Sequence, residues 1–274
     1  MVSVVILSLL AGCMGANEDT LVDELRVMAV VVEPPEAAPG ATVAITAYIA
    51  DPAPDSAEGA PDVLLWTCTN LGDGCLEATE PGQSTTVGAP TDGQLVTTRT
   101  VPPALAGVVG DGTTVLPLLL WTLACAPGLC PAIDLAAAAP APDTADADTL
   151  ATFLADPITG AEDLPLVGTS LALAQVAVST RAAPLTNPVL TPPTDLPAVD
   201  VGGSVDITFT VDRAGTAYGY TTRGGFDATE YEVVDGTVIL TWFGGDEAGT
   251  ADLWVVVNGA DGGSAVWRGV GTVD

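Results

Sequence analysis

The sequence contains no histidine and no lysine, and its six basic residues are all arginine. Without histidine, the chain lacks the side chain that most often serves as a general acid or base near neutral pH and as a metal ligand. Its 35 acidic residues outweigh the arginines and give a formal net charge of −29. Because nucleic acids and anionic lipids attract basic proteins, this charge argues against nucleic acid as a partner and against electrostatic binding to membranes.

The missing residue types also exclude the common catalytic centres. Serine and cysteine have neither histidine nor lysine to act as their base. The stretch Arg223-Gly224-Gly225 contains no lysine, so it predicts a turn between strands and not a phosphate-binding loop. The acidic residues are scattered along the chain, and no pair of them indicates a glycosidase centre. We therefore predict a protein that is not an enzyme and that has no cofactor and no metal site.

The abundant residues are those of strands and turns. Valine and threonine favour strands, while glycine, proline and aspartate favour turns, and the usual helix formers are sparse. Residues 205–211 alternate strictly, with Val205, Ile207 and Phe209 on one side and Asp206 and Thr208 on the other. This is the pattern of a strand with one buried face and one exposed face. The sequence therefore predicts an all-β fold.

A repeated pattern divides the chain into two parts. Residues 40–49 and 202–211 both begin with a glycine turn and continue as an alternating strand, and a proline pair precedes each, at Pro34-Pro35 and Pro192-Pro193. Two widely separated copies predict two related antiparallel β-sandwiches in tandem. The predicted divisions are a signal peptide at 1–12, an acidic tether at 13–24, domain 1 at 25–181, a proline-rich linker at 182–188 and domain 2 at 189–274. Residues 136–163 are a predicted insertion in domain 1, disordered or with one short helix.

The chain opens with an uncharged apolar run at residues 2–10, which is too short to span a bilayer but fits a signal peptide. The residues that follow, Leu10-Ala11-Gly12-Cys13, resemble the bacterial lipobox. That resemblance implies a diacylglyceryl group on the Cys13 thiol and cleavage just before Cys13. Two or more acyl chains, such as palmitate, hold a protein stably on a membrane. Met14 and Gly15 do not match the aspartate-type inner-membrane retention signal, so we expect the outer membrane.

Residues 115–133 form a second uncharged stretch. Prolines at 117, 127 and 131 interrupt it, and an interior proline costs a helix about 3 kcal/mol. We therefore expect a buried strand at residues 118–124 and not a membrane-spanning helix.

Four cysteines remain after Cys13, namely Cys68, Cys75, Cys125 and Cys130. In an exported chain an even number indicates disulfides. We favour the local pairs Cys68–Cys75 and Cys125–Cys130, while the crossing pairs stay open. Zinc is disfavoured because the six and four residues between the cysteines lie beyond and at the edge of the usual two to four, and because an oxidising compartment disfavours free thiolates.

Two features could bind a ligand. Asp143, Asp146 and Asp148 could offer oxygen ligands to calcium, although the EF-hand spacing is absent. Aromatic side chains in predicted strands could stack on sugars, but core positions explain them better. These are Trp66, Trp121, Trp242, Trp254 and Trp267. A calcium- or carbohydrate-binding surface module is thus the alternative function.

Several stretches resemble a family of uncharacterised predicted surface lipoproteins of myxobacteria and their relatives. They are Leu25-Arg26-Val27-Met28-Ala29-Val30, Glu33-Pro34-Pro35-Glu36, Trp66-Thr67-Cys68, Asn187-Pro188-Val189-Leu190, Thr241-Trp242-Phe243 and Leu253-Trp254-Val255-Val256-Val257. The resemblance implies Ig-like β-sandwich domains on the cell surface and is silent on activity. We expect a non-enzymatic lipoprotein, anchored to the bacterial envelope by lipid, for structural, adhesive or partner-binding use. Its expected partners are the membrane and envelope proteins or polysaccharide.

Overall fold

The structure is a computed structural model, which describes residues 18–52, 59–70, 75–76, 85–86, 89–110, 112–127 and 169–274. In these ranges almost all regular structure is β. The exceptions are two short 3-10 helices, Glu18–Thr20 and Pro103–Leu105, and the four-residue helix α1, Ala106–Val109. The predicted signal peptide and the predicted insertion at residues 136–163 lie outside the described residues.

The N-terminal sandwich consists of two facing sheets. Its strands are β1 (Arg26–Glu33), β2 (Glu36–Ala37), β3 (Thr42–Ala50), β4 (Asp62–Asn70), β5 (Cys75–Leu76), β6 (Thr85–Thr86), β7 (Gln94–Thr100), β8 (Leu116–Cys125) and β9 (Thr169–Val178). One sheet has the order β1-β3-β7, and the other has the order β2-β9-β8-β4-β5 with β6 beside β4. Alternate residues of both sheets, such as Ile45 and Leu120, fill the core between them.

The C-terminal sandwich is built in the same way. Its strands are β10 (Leu190–Thr191), β11 (Ser204–Val211), β12 (Gly215–Thr221), β13 (Gly225–Phe226), β14 (Tyr231–Glu232), β15 (Thr237–Phe243), β16 (Gly249–Gly259) and β17 (Ser264–Val273). The sheets have the orders β10-β11-β15-β13 and β14-β12-β16-β17. Phe209, Leu240 and Trp242 are fully buried between them. A Cβ at Gly219 would lie 2.7 Å from the Leu240 side chain and 2.8 Å from the Phe226 ring, so a larger residue there would displace two buried side chains.

The strand order itself identifies the fold class. In an Ig constant-type domain, strands A, B, E and D form one sheet and C, F and G the other. The C-terminal sandwich has this division, with β10, β11, β15 and β13 facing β12, β16 and β17. The N-terminal sandwich places β1, β3 and β7 opposite β4, β8 and β9. The prediction of an all-β fold with two Ig-like sandwiches in tandem is therefore confirmed.

The repeated sequence occupies equivalent places in the two sandwiches. The repeat forms β3 in one and β11 in the other, and each of these strands holds the place of strand B in the Ig strand order. Just before the repeat, near the proline pair, the chain passes from one sheet to the other. In both sandwiches it then pairs in parallel with the last strand. In the N-terminal sandwich β2 pairs with β9, and in the C-terminal sandwich Val199 pairs with Val273 of β17. The division into domains 25–181 and 189–274 stays a prediction, which expression of the two parts alone would test.

Two local predictions can be compared with the described strands. The uncharged stretch contains β8, whose Leu118 and Leu120 are buried in the N-terminal core, as expected for a buried strand. Among the described residues, no helix is long and apolar enough to cross a membrane. β16 extends well beyond its apolar centre at residues 253–257, because it pairs with β17 from Gly249 to Asn258.

Candidate functional site

The predicted site residues are only partly described. Cys13 and Cys130 lie outside the described residues, and so does the acidic stretch at residues 143–148. Cys68, Cys75 and Cys125 lie on β4, β5 and β8. Within the described ranges, no group of three or more histidine, cysteine, aspartate or glutamate side chains could hold a metal ion.

The strand register limits the disulfide pairing. Cys125 is fully buried. It lies opposite Asp62, whereas Cys68 lies opposite Leu119 on the same ladder, six residues or ~20 Å away. Cys75 lies opposite Asn70, farther still along β4. A disulfide needs Cα atoms within about 7 Å. The register thus opposes both crossing pairs, and the pair Cys125–Cys130 stays a prediction.

The described tryptophan side chains are buried or partly buried. Trp242 is fully buried in the C-terminal core, and Trp254 is 3% exposed. Trp267 packs edge-to-face on Phe209, with 5.0 Å between ring centroids. These three residues therefore occupy core or contact positions and do not form a stripe for sugar stacking. The side chains of Trp66 and Trp121 lie outside the described residues.

The two sandwiches pack side by side through a small apolar cluster. A β-bulge between Val27 and Ala29 adds one residue to β1 and turns Met28 away from its own core. Met28 instead packs with Val22, Ala50 and Trp254, all at least nine-tenths buried. Trp254 lies on the outer face of β16, so this contact covers a sheet face that would otherwise be exposed. This contact has no signal in the sequence, because a bulge does not alter the apolar character of β1.

The segment before β1 takes part in the same contact. The sequence predicts a tether over residues 13–24, but Thr20 and Val22 are 0% and 1% exposed. The Thr20 hydroxyl accepts a hydrogen bond of 2.8 Å from the Phe226 backbone, and the Val22 backbone donates one of 2.8 Å to Thr221. Residues 20–22 of the predicted tether are therefore fixed to the C-terminal sandwich.

The predicted linker is also fixed. Glu36 is 2% exposed, and its carboxylate accepts hydrogen bonds from the guanidinium of Arg181, the hydroxyl of Ser179 and the backbone of Leu185. The hydrogen bond from Arg181 lowers the pKa of the Glu36 carboxyl from 4.5 to about 2, although burial acts in the opposite direction. A fully buried charge is costly unless it is paired and hydrogen-bonded, and this carboxylate is both. It therefore holds Leu185, in the linker, against the N-terminal sandwich.

Asn187 joins the linker to both sandwiches. Its amide donates to the Val32 carbonyl at 2.8 Å and to the Glu33 carboxylate, and its side-chain oxygen accepts from the Ser264 backbone at 3.0 Å. Asn187 is thus hydrogen-bonded to the end of β1 and to the start of β17. The linker is therefore a fixed joint and not the spacer that its prolines suggest.

The arginines supply much of the polar contact between the sandwiches. Arg268 of β17 donates to the Asp92 carbonyl at 2.7 Å and to Asp252 at 3.1 Å, and its guanidinium lies 5.6 Å from the Trp254 ring centroid. Arg26 lies 5.9 Å from the ring of Tyr220, across the same contact. The chain has only six basic residues, so each arginine is a candidate for a specific contact, and this scarcity is the sequence signal for Arg26 and Arg268.

A cleft of about 400 Å³ opens beside the contact. Its walls are β1, β9 and the hairpin between β16 and β17, and none of the residues that line it is charged. The carbonyl of Val32 points away from β3, because it accepts from Asn187. Residues two apart in a strand direct their backbone N–H and C=O groups to the same side. The backbone groups of Val30 therefore point towards the cleft, as the carbonyl of Val32 does. No ladder joins β1 to β9 in the described residues, so both strands present a backbone edge here.

A second, shallower groove of about 640 Å³ lies along β12 and β14. Tyr218 and Tyr231 line it together with the carboxylates of Glu230 and Glu232. The Tyr231 hydroxyl donates a hydrogen bond to Asp227 and accepts one of 3.1 Å from the Ala228 backbone. Burial and Asp227 raise the pKa of Tyr231. The ring is thus held in one orientation and stays uncharged near neutral pH.

No protein-family model and no curated protein matches the sequence. Among solved structures, the chain is similar to the fibronectin(III)-like modules of CbhA from Clostridium thermocellum, at 12% identity and a TM-score of 0.27, with 89% of this chain and 93% of that chain covered. It is also similar to the N-terminal Ig1-2 module of the Drosophila receptor protein tyrosine phosphatase DLAR, at 12% and 0.27, with 91% and 97% covered. The D0-D1 domain of intimin matches at 10% and 0.24, with 90% and 98% covered. Likenesses this distant carry no argument about function, and the fold assignment rests on the strand order.

Proposed function

We propose that the protein is a non-enzymatic lipoprotein, held on the bacterial envelope by acyl chains on Cys13, that presents two Ig-like sandwiches as one unit. The observation that carries the proposal is the segment just after the lipobox. Thr20 and Val22 are buried where the two sandwiches meet. An anchor at Cys13 would therefore hold a packed pair of modules, which suits a structural, adhesive or partner-binding role.

Metabolic labelling with an alkyne analogue of palmitate tests the anchor in the native cell. We expect label on the wild-type chain in the outer-membrane fraction, with mass spectrometry locating the acyl groups on an N-terminal Cys13. Cys13→Ala should remove the label and release the chain from the membrane. An intact, unmodified N-terminus on protein from native cells would refute the proposal.

The uncharged cleft is where we propose that an envelope partner binds. Strand edges offer backbone donors and acceptors to an extended segment of another chain, and Gln175 of β9 lies at this edge. A photo-crosslinking residue at position 175 should form a product with one envelope protein or polysaccharide. The matched control is position 208, which is exposed on the sheet of the C-terminal sandwich that faces away from the contact. Equal products at both positions would contradict the cleft as the site.

The groove along β12 and β14 favours a second candidate, carbohydrate binding. Its two tyrosine rings and two carboxylates supply a flat apolar surface beside hydrogen-bond acceptors. Titration with soluble envelope polysaccharide, followed by calorimetry, should give heat that Tyr218→Ala abolishes. Tyr48→Ala is the control, since that ring packs at the contact between the sandwiches. The absence of heat with the wild-type chain would remove this candidate.

A further inference from the structure

The distance between the proposed anchor and the folded chain is short. Cys13 and Glu18 are separated by five residue spacings, which span at most ~18 Å when fully extended. Residues 18–22 are described, and residues 20–22 lie against the C-terminal sandwich. We infer that one end of the packed pair, formed by the close of β12 and the start of β13, faces the lipid headgroups. This inference rests on the proposed lipid anchor.

The attachment at this end is firm. Leu21 pairs with Thr221 in a parallel bridge, and Thr20 is bonded to the backbone of Phe226. Since Thr20 and Val22 are buried, the segment cannot swing out without exposing the apolar cluster around Trp254. The anchor is therefore attached first to the C-terminal sandwich, although the chain enters the N-terminal sandwich first.

Other loops mark the same end. Gly224 packs so closely on the next loop that a Cβ would lie 1.9 Å from the Phe243 carbonyl and 2.9 Å from the Gly245 nitrogen. Residues 244–248 therefore lie beside the attachment point, and Asp246 is exposed there.

The opposite end is a strand length away. β12 runs from Gly215, opposite Gly259, to Thr221, opposite Leu253. The tip of the β16–β17 hairpin, which includes Asp261, is thus some seven residues or ~23 Å farther from the attachment point along β16.

Because the sandwiches pack side by side, one end of the N-terminal sandwich also lies near the membrane and the other end points away from it. Arg26, at the start of β1, lies over Tyr220 near the anchored end. Pro35, just after β1, lies beside Gly263 in the hairpin at the far end. The fixed linker and the uncharged cleft are therefore at the end that points away from the membrane. A partner could reach the cleft without approaching the bilayer.

Energy transfer to the membrane surface tests this orientation. The lipidated full chain is placed in vesicles of phosphatidylethanolamine and phosphatidylglycerol that carry an acceptor dye on a headgroup. A donor dye is attached at Asp246→Cys or at Asp261→Cys, which replace exposed aspartates at the two ends. We expect clearly higher transfer from position 246 than from position 261. Equal transfer, or higher transfer from position 261, would overturn the inference.

A variant with a longer tether tests whether the short tether causes the orientation. Inserting about twelve glycine and serine residues between Asn17 and Glu18 adds a root-mean-square reach of ~19 Å without altering the fold. The difference between the two positions should then shrink or vanish. A difference that persists undiminished would show that something other than the short tether orients the chain, and would also overturn the inference.

The two proposals fail in different ways. If the protein purified from native membranes carries no acyl group and does not float with the vesicles, the lipid anchor itself is wrong and the orientation falls with it. If the chain floats but position 261 is as near as position 246, only the orientation is wrong.

Discussion

Arg181→Met should destabilise the protein more than any other single arginine replacement outside the apolar contact. Arg181 is the cation that pairs with the buried carboxylate of Glu36, whose side chain is 1% exposed, while the arginine side chain is 36% exposed. Removing Arg181 leaves the charge of the buried Glu36 carboxylate without compensation, which destabilises the folded state. We expect a loss in the free energy of unfolding at pH 7 that is larger than the loss from breaking an exposed ion pair.

Glu36→Gln should cost less than Arg181→Met, because the arginine that it leaves behind can be hydrated. The lowering of the Glu36 pKa from 4.5 to about 2 corresponds to about 3 kcal/mol. This is an upper value, since Arg181 remains in contact with water. The double variant should be more stable than Arg181→Met alone, since it no longer buries an unpaired charge.

The pH dependence has a definite sign. Because the folded-state pKa of Glu36 is depressed, its contribution is fully present above pH 4.5 and is lost as the pH falls towards 2. The gap between wild type and Glu36→Gln should therefore close in that interval. Urea unfolding, followed by tryptophan fluorescence, measures each variant at pH 7, 4 and about 3.

The matched control for this series is Arg213→Gln. Arg213 pairs with Asp212 on the surface at 3.1 Å, where both side chains are partly exposed. Exposed pairs contribute about 0–1 kcal/mol. If Arg181→Met were no more destabilising than this control, the account of Glu36 as a buried charge that depends on its partner would be refuted.

Three other replacements test the packing. Thr122→Val should stabilise the protein by about 1 kcal/mol, because the Thr122 hydroxyl is buried without a hydrogen-bond partner; Thr221→Val, whose hydroxyl donates to Arg223 at 2.8 Å, should destabilise it in the same thermal-unfolding assay. Trp254→Ala should lower the free energy of unfolding by about 3–5 kcal/mol. In a double-mutant cycle with Met28→Ala, the two losses should not add, because the side chains are in contact. Additive losses would contradict this contact between the sandwiches. Gly224→Ala should unfold more readily than Gly202→Ala, because both have positive φ but only Gly224 lacks space for a Cβ, and similar midpoints would contradict this.

The strands could be predicted because each one carries its own pattern. The alternation along β11 and the glycine turns before β3 and β11 are local, and they place one face of each strand in a core. The repeat also predicted that the two sandwiches are alike. Strand ends were less predictable, as in β16, where pairing with β17 extends the strand through polar residues at both ends.

The contacts between the sandwiches could not be predicted, because they depend on residues far apart in the chain. The proline-rich linker suggested a spacer, yet Glu36 and Asn187 fix it. Nothing near Glu36 in the sequence identifies Arg181 or Ser179 as its partners. Likewise, the acidic segment after Cys13 suggested a tether, and only the fold shows that Thr20 and Val22 are buried against Phe226 and Trp254.

Sequence alone determined the all-β class, the tandem repeat and the absence of histidine- or lysine-based chemistry, because these follow from composition and from short periodic patterns. It also supplied residues 10–13, which resemble a lipobox and on which the proposed anchor depends. Only the tertiary structure decided that the sandwiches lie side by side, that the linker is a fixed joint and that the cleft has no charged lining. These features arise from side chains brought together across more than a hundred residues, such as Glu36 and Arg181, and no local pattern records them.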